Sequence, residues 1–195
     1  MTYQIIRGTA ADLENTEKAY IADIPWGSEY TPTSFFQGVF VENKGFIFKL
    51  TALEKNPTAT MEGFAPHVCA DSCLEIFLNF DPEHSNQYIN FEMNPKGAYL
   101  YGVGQDRYGR EILKAPVMPE VKGEIGEDAW CVTLFIPLEA IEHVYGKIDF
   151  TAGYKFKGNA YKCGAPVTHY MTWSPVQRNE RDFHRPACFG TFEIL

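Results

Sequence analysis

The sequence predicts an all-β protein, a two-layer antiparallel β-sandwich carrying one short helix. Three observations point there. Short segments alternate apolar and polar residues with period two, the mark of a strand that buries one face, and clusters of turn formers separate them. Phe, Tyr and Trp number 15, 11 and 3, and aromatic side chains suit the pleated, half-buried surface of a sheet. Only one stretch carries helix signals at both ends. Pro137-Leu138-Glu139 opens it and Gly146 follows its last turn at about Val144, as Pro at the first turn and Gly past the end require. At 195 residues, a single domain over 1–195 is expected, large enough to bury a sizeable core.

In chain order, Tyr3–Gly8 is a short apolar run expected to pair as an edge strand, and Ala11–Ile21 a weak helix or loop. Trp26 lies in the turn-rich Ile24-Pro25-Trp26-Gly27, as a lid ring or a packing ring. Gly38–Glu42 and Gly45–Leu53 read as strands around a tight turn at Asn43-Lys44. Lys55–Pro66 is a polar loop. Ser72–Phe80 and Tyr88–Asn94 read as a hairpin turned by Asp81-Pro82 and His84-Ser85-Asn86. Strands follow at Ala98–Val103, Trp130–Ile136, Phe150–Lys157 and Thr191–Leu195, with a strand and a long loop in the tail. The Gly104–Arg110 loop is charged and carries Arg107 and Arg110.

The hairpin divides its faces unusually. Leu74, Ile76, Leu78 and Phe80, with Ile89, Phe91 and Met93, form an apolar side. The opposite side carries Cys73, Glu75, Phe77 and Asn79, then Tyr88, Asn90, Glu92 and Asn94. If the apolar sides share a core, Glu75 faces Asn90, Glu92 or Asn94, because a slip by one residue would put Leu or Ile on the polar side. Opposed side chains lie about 5 Å apart at Cβ. Acceptors and amides thus gather on one sheet face, which reads as a ligand-binding face rather than a merely solvated one. Asn90 and Asn94 also read as backbone caps at a strand end.

Composition narrows the partners. A net charge of -8 and the lack of any Lys/Arg-rich run argue against nucleic acid and anionic membrane. The first twenty residues lack the pattern of a signal peptide, and no apolar stretch is long enough to span a bilayer. The expectation is a soluble, cytoplasmic protein, or a secreted one if a leader has been removed. Cys69, Cys73, Cys131, Cys163 and Cys188 show no CxxC pair and no zinc-site spacing, and Cys163 with His169 lacks further ligands. Scattered thiols of this kind read as small buried hydrophobes, so no metal site is expected from them.

The runs DSCLEIFLNFD, NFEMNPKG, IPLEAI, GNAYKCG, HYMTWSPV and DFHRPACFGTFEIL resemble the family 9 carbohydrate-binding modules and their single-domain relatives. The resemblance covers the chain from about Trp26 to its end. It implies a sandwich of the immunoglobulin or jelly-roll kind, related to the DOMON domains, that binds sugar without catalysis, usually in the service of a glycosyl hydrolase. It also implies a slot between two tryptophans with charged and amide groups around the hydroxyls. Trp173, in the Thr-Trp-Ser-Pro motif, matches one wall, and Glu75 matches the hydroxyl-binding carboxylate. The second tryptophan is expected near Cys69, where this chain has none, leaving Trp26, Tyr30 or Tyr88 to replace it. Calcium occurs in some relatives away from the sugar; no other cofactor is implied.

The expected ligand set is therefore Trp173, Glu75, Asn90, Glu92, Asn94, Arg107, Tyr88 and Trp26. A flat ring lies against a sugar's C–H face, while Asn and Glu meet ring hydroxyls and Arg forks onto neighbouring oxygens. Two alternatives stand beside it. Glu75 and Glu92 on facing strands meet the roughly 5–5.5 Å carboxyl spacing of a retaining glycosidase. A haem site of the DOMON cytochrome kind needs an inward Met or His pair, and Met93, His169, Met171 and His184 are the available side chains.

Overall fold

The computed structural model describes residues 1–64, 67–177 and 179–195. Its strands are β1 (Thr2–Arg7), β2 (Ala19–Tyr20), β3 (Ser34–Val41), β4 (Gly45–Ala52), β5 (Cys73–Asn79), β6 (Tyr88–Met93) and β7 (Tyr99–Gly104). They continue as β8 (Glu111–Ile112), β9 (Glu120–Ile125), β10 (Trp130–Pro137), β11 (Lys155–Gly164), β12 (His169–Thr172) and β13 (Gly190–Ile194). The helix α1 spans Leu138–Tyr145, ending at Gly146 with φ 76°, as the sequence predicts. Of the polar loop expected at Lys55–Pro66, residues 65 and 66 lie outside the described residues.

The strands lie in the order β8-β7-β6-β5-β11-β13-β1-β3-β4-β10-β9, with β12 on β11 and β2 on β3. β1 is the seam between the two layers. Thr2–Ile5 pairs parallel with Thr191–Ile194, and Ile6 and Arg7 pair parallel with Val39 and Phe40. The other ladders described are antiparallel. The expected edge strand at Tyr3–Gly8 is thus a central one, bonded on both sides. Its inward residues Tyr3 and Ile5 are 2% and 0% exposed, and the Tyr3 hydroxyl donates to Glu17 O and accepts from Gly38 N, both at 2.9 Å.

The core fills the space between the layers. Phe46 of β4 reaches Phe80 beyond β5 at 5.1 Å and Phe156 of β11 at 5.4 Å, centroid to centroid. Leu134 and Ile136 of β10 and Ile76 and Leu78 of β5 are fully buried around them. Each such side chain contributes about 1.5–3 kcal/mol by leaving water. The turn at Asn43-Lys44 forms as expected, with Asn43 at φ 58° and Gly45 at φ 145°. A Cβ on Gly45 would stand 2.0 Å from Ile136 O, so β10 passes where only glycine permits it.

Two segments depart from expectation. The alternation in Phe150–Lys157 places a strand there, but the strand runs Lys155–Gly164, because Gly153 at φ 83° turns the chain just before it. β9 has no apolar face to announce it: it is a largely exposed edge strand held by β10.

The hairpin of β5 and β6 sets the position of the site. Glu75 lies opposite Glu92, and Phe77 opposite Asn90. Leu74, Ile76, Leu78, Ile89, Phe91 and Met93 all join the core. The polar side is not wet, however. Glu75 and Glu92 are 4% exposed and Asn90 0%, because the tail returns across this face.

Candidate functional site: a capped sheet face

The tail covers one half of the face by ordinary apolar packing. Val176, Phe183 and Phe189 close on Phe77, Tyr88 and Tyr161 to form a second, smaller core. The Phe183 ring stacks on Tyr161 at 4.2 Å and 16°. Hydrogen bonds then fix the cap: Tyr161 OH donates to Phe183 O at 2.9 Å, and Tyr88 OH meets His184 Nδ1 at 2.7 Å. Asp182 accepts from the His184 backbone N–H at 2.9 Å and pairs with Arg185 at 2.6 Å.

The other half of the face stays open beneath the cap, as a cavity of about 370 Å³. Its floor holds Glu75, Glu92 and Cys163 from β5, β6 and β11. One wall is aromatic. Trp26 meets Tyr170 edge-on at 5.7 Å and Phe183 at 5.7 Å. Arg107 and Arg110 close the side facing the β7–β8 loop, and Arg181 belongs to the tail's contribution.

The floor is electrostatically divided. Glu92 Oε1 accepts from Arg110 Nη1 at 2.7 Å and from Asn90 Nδ2 at 3.1 Å, so its charge is paired. Glu75 Oε1 accepts from the Cys163 thiol at 3.0 Å. Burial above all, then Cys163 and Glu92, hold the Glu75 carboxyl well above the usual carboxylate range, against the pull of Arg110. Burial, with Glu92 and Glu75 nearby, pushes the Cys69 thiol up to about 12. Burial and the neighbouring Arg110, Arg107 and Arg185 hold the His184 imidazole down at about 3. A polar ligand entering here meets a neutral acid, an ion pair and an unprotonated imidazole.

Of the expected ligand set, Glu75, Glu92, Arg107 and Trp26 come together in the cavity. The others do not reach it. Trp173 is the clearest correction: its ring is 4% exposed and packs in the core against Phe36 at 5.3 Å and Phe192 at 5.1 Å. A Cβ on Gly190 would stand 2.6 Å from this ring, so the indole occupies the space that glycine leaves. Trp173 is a packing ring, not a slot wall.

Asn94 is a second correction. Its Nδ2 donates to Met61 O and Asp71 Oδ2, and its Oδ1 accepts from the Lys96 and Ala98 backbone N–H groups. All of these fix the turn after β6. Tyr88 is buried in the small core, and Asn90 is fully buried beside Glu92 on the same face of β6, so both hold the site from its flank. Tyr30 turns away as well, its hydroxyl donating to Glu54 at 3.2 Å. Tyr170, Phe183 and Arg181 also line the cavity; nothing local in the sequence says that the tail folds back on the hairpin.

For the alternatives, Met93 lies in the main core, and His169 Nε2 is engaged by the buried Lys162 at 2.8 Å. The sequence spacing of the cysteines also conceals one juxtaposition: Cys73 and Cys163 are register partners across β5 and β11. No helix among the described residues is long and apolar enough to cross a membrane.

A β-sandwich with a ligand-sized cavity on a capped sheet face defines a binding-module architecture. The model of carbohydrate-binding family 9 matches residues 7–194, and the chain belongs to that family. Among solved structures it is similar to a Bacteroides uniformis protein provisionally described as carbohydrate-binding. That match has 25% identity and a TM-score of 0.83, covering 100% of this chain and 98% of the other. It shares its fold with a family 9 module from Caldicellulosiruptor kristjanssonii in complex with cellotriose, at 10% identity, TM-score 0.70 and coverage of 100% and 93%. A structure of such a module from that organism with glucose gives 11% identity, TM-score 0.69 and coverage of 100% and 96%. No curated protein matches the chain.

Proposed function

We propose that the protein binds a sugar in the capped cavity without chemically altering it, as a module serving carbohydrate breakdown. The observation that carries this reading is the pairing of an aromatic wall, Trp26 with Tyr170, with a floor of Glu75 and the Glu92–Arg110 pair. The cavity of about 370 Å³ falls at the small end of the range for small-molecule sites, about 300–1,000 Å³. Trp26 and Tyr170 offer apolar surface to the C–H face of a pyranose. Glu75, protonated, donates as well as accepts, while Arg107 and Arg110 donate to hydroxyl oxygens. Membership of a carbohydrate-binding family, and relatives described with cellotriose and glucose, support the same reading.

A thermal-shift panel of mono- and disaccharides, with and without calcium, tests it. A sugar at a hundred times its dissociation constant adds about 2.7 kcal/mol to stability, and Glu92→Gln is expected to remove the shift. A panel that leaves the melting temperature unmoved throughout contradicts the proposal. The register that sets Glu75 against Glu92 supports a second reading, a glycoside hydrolase. Release of nitrophenol from aryl glycosides, abolished by Glu75→Gln, would favour it over plain binding.

A further inference from the structure

The cavity floor gathers more sulfur than sugar recognition needs. Cys73 Sγ, Cys163 Sγ and a Glu75 carboxylate oxygen all lie within 4.8 Å of one another. Two of the three come from directly opposed positions on β5 and β11, and the third lies two residues along β5. Their backbone is therefore held by the sheet ladder, not by a mobile loop. All three side chains are buried, at 0%, 5% and 4% exposure, yet Cys163 and Glu75 border the cavity. Cys188 packs against the same small core, but neither it nor Cys131 belongs to the group of three donors.

We infer that Cys73, Cys163 and Glu75 form a binding site for one thiophilic divalent cation, zinc by its chemistry, with a coordination position open to the cavity. Zinc bonds thiolate sulfur at about 2.3 Å and carboxylate oxygen at about 2.0–2.2 Å, so two of its ligands stand no more than about 4.6 Å apart. The cluster meets that spacing with small side-chain rotations. Three protein ligands and an open fourth position form the pattern of an exchangeable zinc site rather than a closed structural one. Calcium and magnesium prefer all-oxygen shells, so two thiols in three donors exclude them as the favoured ion.

The surroundings suit a cation despite the nearby guanidiniums. Arg110 is paired to Glu92 at 2.7 Å, and Cys69 borders the same cavity beside Glu75, Glu92 and Cys163. Lys162, next in sequence to Cys163, turns its ammonium to Glu54 at 3.2 Å on the other side of the sheet. Without a cation the three donors keep their protons; burial pushes the Cys73 thiol up, and the hydrogen bond with Cys73, then burial, push Cys163 up. The incoming ion displaces these protons to solvent. The site shares Glu75 with the proposed sugar floor but needs no sugar to form, because every donor stands on the β-ladder itself.

Cobalt(II) titration of the reduced, chelator-stripped protein tests the inference. The expected result is one equivalent bound, with a near-ultraviolet thiolate-to-cobalt charge-transfer band and the visible bands of a tetrahedral ion, both bleached by zinc. Cys131→Ser and Cys188→Ser should leave these bands in place. Cys163→Ser should abolish the charge-transfer band or cut it to that of one thiolate. Glu75→Gln, which replaces a protonated acid by a near-isostere, should fold and bind at least about tenfold more weakly. Absence of the charge-transfer band in the wild type, or its persistence at full strength in Cys163→Ser, overturns the site. So does its loss in Cys188→Ser while the protein remains folded. Sugar binding is read separately, so either result leaves the sugar proposal to its own test.

Discussion

At the level of single residues, Trp26 lines the cavity as expected of it, whereas Trp173 leaves the expected ligand set for the core. Trp173 resembles a slot wall because it sits in Thr-Trp-Ser-Pro, but no local pattern reveals that Gly190, seventeen positions later, leaves a hollow for its ring. Truncating a buried Trp costs about 3–5 kcal/mol. Trp173→Ala is therefore expected to lower stability by that amount in urea unfolding, whereas Trp26→Ala costs less and removes sugar affinity. His184 yields a pH prediction. Its imidazole sits at about 3 in the folded protein against 6.5 ordinarily, so the unfolded chain takes up the proton first. The stability that His184 contributes is complete above about pH 6.5 and is lost as the pH falls toward 3. Unfolding midpoints measured from pH 7 to pH 4 should decline less in His184→Gln than in the wild type.

At the level of elements, the hairpin was the most legible part of the chain. Strict alternation in Leu74–Phe80 and Ile89–Met93 determined which side enters the core, and hence that Glu75 lies opposite a polar residue of β6. What it left out was the cap. The tail's Phe183 and Val176 lie about a hundred residues away in sequence from the strands they cover, and only the fold brings them together. The stack of Phe183 on Tyr161 ties the cap to the sheet. Phe183→Ala is expected to loosen the segment from 179 to 189, so that limited proteolysis cuts there first while the core strands remain protected. Equal protection of that segment in the variant would show that the cap is held by something else.

At the level of the molecule, composition and periodicity indicate two layers of sheet, and the structure has them around an aromatic main core. The seam was hidden. Tyr3–Arg7 carries the same alternation that an edge strand would, because parallel pairing with residues 191–194 and 39–40 leaves no local signature. β1 therefore has outsized weight: it completes hydrogen bonding in both layers and seats Tyr3 and Ile5 in the core. Deleting residues 1–7 is expected to abolish cooperative unfolding by circular dichroism, where loss of a true edge strand would only lower the midpoint. The polar β9 has no sequence signal for the opposite reason, since a solvent-exposed edge strand needs no apolar pattern.

The claim that joins these scales is that sugar lies against Trp26 under the cap, and the three indole N–H groups report on it directly. Trp130 donates its Nε1–H to Glu54 at 2.8 Å inside the sandwich, and Trp173 is packed in the core. Only Trp26 borders the cavity. In a ¹H–¹⁵N spectrum titrated with glucose and cellotriose, the Trp26 indole resonance is expected to move saturably while those of Trp130 and Trp173 stay in place. A shift confined to Trp173, or three stationary resonances at millimolar sugar, would contradict the account.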